Sequence, residues 1–134
     1  MSAFELSRLA DVFGDAIAHD TQRAVTTLTH AFGREDFLRG HFPGFPVVPG
    51  VILLDGMIFT GLHAVKHAAS ADVGSIAVDT VTFHRPVLPG QEVSFSARIA
   101  GHGEDGLAAR CAVMVDGARH ARASMTFRLA NIQS

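Results

Sequence analysis

VILLDGMIFTGLHAVKHA, residues 51–68, decides the fold. The stretch contains no turn signal, and its apolar residues fall on nearly every face of a helix. A helix that is apolar all round is a buried one, so other elements must wrap it. Gly56 and Gly61 each weaken helix propensity by about 1 kcal/mol against alanine, which points to close backbone packing as the reason for them. Pro49-Gly50 marks where the helix starts.

The flanking segments supply the wrapping. Val93, Phe95, Ala97 and Ile99 alternate with Glu92, Ser94, Ser96 and Arg98, the two-residue period of a half-buried strand. Leu107, Ala109, Cys111, Val113 and Val115 continue the pattern, Asp116-Gly117 signals a hairpin, and Ala121 to Leu129 alternates again. Residues 76–84 make one more strand, ending at Arg85-Pro86. Upstream, the β-branched run at 24–29 predicts an early strand, with a shorter one near 16–18. Residues 31–50 hold three prolines and four glycines and predict a long ordered loop. One central helix and a run of antiparallel strands define an α+β fold, a sheet wrapped around a long buried helix. Such a sheet has exposed edges, which makes a homodimer or higher homo-oligomer an expectation, although the sequence does not show which strand would pair.

Composition bounds the function. With 134 residues, 48% hydrophobic and 18% charged, the chain suits one domain over 1–134. A net charge of −2, with Lys66 the only lysine, gives no broad positive field for nucleic acid or an anionic membrane. Cys111 is the only cysteine, so an internal disulfide and a multi-thiolate zinc site are excluded. The first fifteen residues carry Glu5, Asp11 and Asp15 and lack a secretory pattern, and Asp55 and Lys66 interrupt the apolar stretch. A soluble cytoplasmic protein is expected.

The chemistry concentrates in GHFPGFPVVPGVILLDGMIFT, residues 40–60. An isolated loop histidine such as His41 is usually structural. Asp55 is harder to dismiss: it sits among Ile52, Leu53, Leu54, Met57, Ile58 and Phe59, where an unpaired carboxylate is costly and tends to take a proton. It lies about one and a half turns into the helix, too deep for an N-cap. The helix start leaves backbone N–H groups unpaired, a site for negative charge.

GHFPGFPVVPGVILLDGM resembles the signature of the 3-hydroxyacyl-acyl-carrier-protein dehydratases, a hotdog-fold family with a histidine in HFP and an acid 14 positions later. VTFHRPVLPGQEVSF, residues 81–95, is a second similar segment. The resemblance implies dehydration of (3R)-hydroxyacyl thioesters carried on acyl carrier protein, in fatty acid synthesis or a related polyene or polyketide pathway. It implies a site at a dimer interface, with His41 as base, Asp55 as acid and the Gly50 N–H binding the thioester carbonyl. No metal or other cofactor is implied. Phe42, Pro49 and Phe59 are candidate tunnel residues, and Arg39, Arg85 and Arg110 candidate contacts to the carrier. Aspartate in the acid position resembles the longer, isomerising members, whereas the length is that of the short ones. Phe59 stands where both types usually have glutamine. A hotdog thioesterase and a non-catalytic acyl-binding partner subunit are the alternative readings. His63 and His67 have the i,i+4 spacing of a helical metal pair, but no third ligand is evident, and interaction with the helix C-terminus is the simpler role.

Overall fold

The computed structural model describes Phe13 and residues 16–33, 47–103 and 106–130. Within them β1 (Ile17–Asp20) and β2 (Val25–Ala31) precede the helix α1 (Gly50–Ala69). After it come β3 (Val73–Phe83), β4 (Glu92–Gly103), β5 (Gly106–Val115) and β6 (Ala118–Leu129). The expected loop over 31–50 closes β2 at one end and opens α1 at the other, and most of it lies outside the described residues.

All six strands join in one antiparallel sheet of order β1-β2-β4-β5-β6-β3. The Asp116-Gly117 hairpin forms as its sequence predicts. Both residues take positive φ, 51° and 81°, and Val115 pairs with Ala118 across the two-residue turn. The alternation expected in β4, β5 and β6 is realised: Val93, Phe95, Leu107, Val113, Met125 and Phe127 are buried, and the intervening residues face away from α1.

Leu53, Met57, Phe59, Leu62 and Val65 of α1 bury against that inner face, with the helix lying chiefly across β4. The two helix glycines let it come close. A Cβ on Gly56 would overlap the Phe95 ring, and one on Gly61 would lie 2.5 Å from Cζ of Phe127. By length and hydropathy α1 would also pass for a membrane span, but half of it is buried in the protein as the core helix.

The helix is not buried all round, contrary to the sequence expectation. Val51 is 62% exposed, and Ile52, Leu54 and Ile58 are only partly covered. The sheet curls over one side of α1 and stops at β3. That strand pairs with β6 alone and contains no fully buried residue. Val78, Val81 and Phe83 pair in register with the inward-facing Met125, Ala123 and Ala121, so they share the inner face, yet each is more than a third exposed.

Candidate active site

Among the described residues, the hydrogen bonds at the start of α1 are backbone ones. Pro49 occupies the N-cap with no side-chain cap, and its carbonyl accepts from the N–H groups of Ile52 (2.9 Å) and Leu53 (3.2 Å). No acceptor among the described residues meets the N–H groups of Gly50 and Val51, and the first turn contains no acidic residue. Two donors at the positive end of a helix dipole are therefore free to meet developing negative charge.

The segment before the helix is fixed to the one after β3. The Val48 N–H donates to the Val87 carbonyl at 2.8 Å. The His120 carbonyl accepts from the N–H groups of His84 (2.8 Å) and Arg85 (3.2 Å), while Nδ1 of His120 lies 3.1 Å from the Pro86 carbonyl. A carbonyl only accepts, so the His120 imidazole carries its proton on Nδ1. Between these ties lies a cavity of about 350 Å³ lined by Val48, Gly50, Leu53, Phe83, His84, Arg85 and Pro86. The Phe83 ring rides directly over Gly50, where a Cβ would sit 3.1 Å from its Cζ. Neither Phe83 nor His120 was singled out from sequence.

Asp55 is half-buried on the same helix, and no described residue hydrogen-bonds or ion-pairs with its carboxyl. Burial pushes its pKa above the ordinary carboxylate value, favouring the protonated form. Pro49 caps the helix, and Phe59 lies in the core, stacked on Phe13 (5.9 Å between centroids) and edge-on to His63 (4.7 Å). Arg85 is exposed at the cavity beside Gly50. His41, Arg39 and Phe42 lie outside the described residues. Arg110 is exposed on the outer face of β5, on the side of the sheet turned away from α1.

Other reactive side chains are placed elsewhere. Burial pushes the Cys111 thiol up to about 12, leaving it without the thiolate a nucleophile needs. His67 stacks in parallel on His19 with centroids 4.2 Å apart, and His63 lies within electrostatic reach of His19 and Lys66. Among the described residues no three His, Cys, Asp or Glu side chains converge as a metal-binding group.

The six-stranded antiparallel sheet around one long helix is the hotdog fold, shared with solved structures across most of the chain. The phenylacetic acid degradation-related protein from Ralstonia eutropha superposes with TM-score 0.71 at 19% identity, over 95% of this chain and 92% of that one. The dehydratase heterocomplex ApeI:P from Xenorhabdus doucetiae does so with TM-score 0.57 at 20% identity, over 79% and 88%.

The model of the ApeI-like family, described as ApeI dehydratase, matches residues 17–124, and the chain belongs to that dehydratase family. The 3-hydroxyacyl-[acyl-carrier-protein] dehydratase FabZ of Thermus thermophilus is 30% identical over 121 residues, 86% of this chain and 84% of the relative. FabZ of Polynucleobacter necessarius is 31% identical over 81 residues (58% and 54%) and that of Proteus mirabilis 42% over 64 (44% and 43%). The match to these two spans about half the length of each relative.

Proposed function

We propose that the protein dehydrates (3R)-hydroxyacyl thioesters on acyl carrier protein to trans-2-enoyl thioesters. The observation that carries this reading is Asp55: a partly desolvated carboxyl with no described partner, on a helix whose first N–H groups are free. In the proposed reaction His41 takes the C2 proton, and negative charge gathers on the thioester oxygen. The Gly50 N–H donates to that oxygen, while protonated Asp55 gives its proton to the C3 hydroxyl, which leaves as water. Transfer of the proton from His41 back to Asp55 restores both groups. Pro49, Phe42 and Phe59 are the proposed acyl-side residues, and Arg39 and Arg85 the carrier-side ones.

The whole chain is proposed to act as one cytoplasmic hotdog domain paired with a second copy through β3. Val78, Val81 and Phe83 present apolar surface on the inner side of an unpaired edge, which an antiparallel β3–β3 contact would cover. In that pair His41 of one subunit is proposed to act with Asp55 of the other. The similar dehydratase heterocomplex ApeI:P favours one alternative, a different subunit in place of the second copy. A thioesterase that activates water with a helix carboxylate does not need a loop histidine, and His41 in HFPGFPVVPG argues against that reading.

The test is hydration of an enoyl thioester followed by loss of absorbance, with His41→Ala and Asp55→Asn. Loss of hydration in both, with the oligomer intact, is the expected result. Full activity in either variant, or release of free thiol instead of hydration, would overturn the assignment.

A further inference from the structure

The outer face of the sheet, turned away from α1, carries a band of arginines that the reaction does not use. Arg98 of β4 stands directly opposite Arg110 of β5, and Arg122 of β6, opposite Ala112, is one diagonal step from Arg110. All three are exposed, and none forms an ion pair with a described residue. Ser96, Ala108, Ala112 and Ser124 around them are small, so the guanidinium groups stand above a flat, rigid floor.

Among the described residues, no acid forms an ion pair with the band. Glu92 lies six residues from Arg98 along β4, about 20 Å away at the rise of a strand. Asp79 accepts a hydrogen bond from the Thr126 hydroxyl at 2.9 Å and keeps its charge, but it forms no ion pair with the three arginines. Like charges directly opposite in a sheet destabilise it, so the free chain bears a cost for the Arg98–Arg110 pair. The band is also opposite in sign to the chain's net charge of −2.

We infer that this face docks a different protein subunit through a cluster of surface carboxylates. The planar guanidinium fork pairs with carboxylates two hydrogen bonds at a time, and three forks on rigid strands fix an orientation. A second copy of this chain would set arginine against arginine. The substrate-bearing carrier does not fit either, because the sheet stands between this face and Asp55. The exposed large apolar side chains lie on α1, on the inner side of β3, at Leu88 and at the end of β6, so this face has no apolar anchor for a lipid surface.

The probe is a peptide rich in Glu and Asp, with its Gln/Asn counterpart as control, titrated at low salt into the isotopically labelled full chain while backbone amide shifts are followed. Shifts should concentrate on β4, β5 and β6 around Arg98, Arg110 and Arg122, and fade as salt screens them. The double variant Arg98→Ser/Arg122→Ser should lose at least about tenfold in peptide affinity. Its activity on carrier-bound substrate should be unchanged, and its Tm at low salt should rise by about 2 °C as the like-charge pair is relieved. Shifts centred on His84 and Arg85, unchanged affinity in the double variant, or binding to phosphatidylglycerol vesicles without binding to the peptide would each overturn the inference.

Discussion

Gly56→Ala sets a favourable local term against an unfavourable packing term, and the structure decides the sign. Alanine improves helix propensity by about 1 kcal/mol. Its Cβ would fall on the Phe95 ring, which is 0% exposed and has nowhere to retreat. Phe95 packs edge-on to Phe13 (5.5 Å, 76°) and to Phe32 (6.4 Å, 79°), so relief for one contact disturbs the other two. With a fully buried ring in the way, the cost falls in the upper part of the usual 1–3 kcal/mol for overpacking, about 2–3 kcal/mol, leaving a net loss of about 1–2 kcal/mol and a Tm lower by about 3–8 °C. The adjacent Asp55 moves with the helix, so enoyl hydration should fall as well. Gly101→Ala, where no atom lies within 4 Å of the added Cβ, is the control and should be neutral in both assays. Thermal unfolding in parallel with the hydration assay reads both effects. A Gly56→Ala protein as stable as its parent would refute the close-packing account of this glycine.

Asp55→Asn should lower turnover by about 10²- to 10⁴-fold, the usual loss with a general acid, read in the same absorbance assay. Its stability at neutral pH should hold or rise, because a carboxyl with a raised folded-state pKa contributes stability at low pH that is lost as pH climbs through that pKa. Gly50→Ala, whose Cβ would press on the Phe83 ring beside the proposed subunit contact, should reduce turnover by altering the cavity mouth, seen as a fall in kcat. Val81→Lys should shift the protein toward monomer in size-exclusion chromatography with light scattering, and an unchanged mass would count against the β3 pairing. His19 and His63 have pKa values lowered first by burial, so the folded state binds fewer protons than the unfolded one. Their contribution is complete above about 6.5 and is lost as pH falls through that value toward the folded pKa. Tm measured from pH 7.5 to 5 should therefore drop, and His67→Gln, which removes a neighbour that lowers His19, should reduce the drop.

Sequence patterns that depend on near neighbours were legible. The helix expected at 51–68 forms at Gly50–Ala69, and the Asp116-Gly117 turn is dictated by two residues that tolerate positive φ. Asp55 was physically odd from its flanks alone, and its raised pKa agrees. Contacts that depend on tertiary register were not legible. His120 reaches Pro86 across 34 positions, and nothing near either residue announces it. The Arg98–Arg110 pairing follows from how β4 and β5 meet, including the irregularity between Ile99 and Gly101. The apolar outer side of α1 was misread as buried because hydropathy reports what a face prefers, not which neighbour covers it.

The strand order carries a consequence for synthesis on the ribosome. β3 follows α1 in the chain, but its strand partner in the sheet is β6, the last described strand, with Val73 opposite Leu129. Until those final residues emerge, the nascent chain presents the row containing Val78, Val81 and Phe83 with neither edge of β3 hydrogen-bonded. Non-local pairing of this kind is slow and exposes sticky edges. Premature termination before β6 should therefore produce an insoluble fragment, whereas the same number of residues removed from the front would leave β3 its partner.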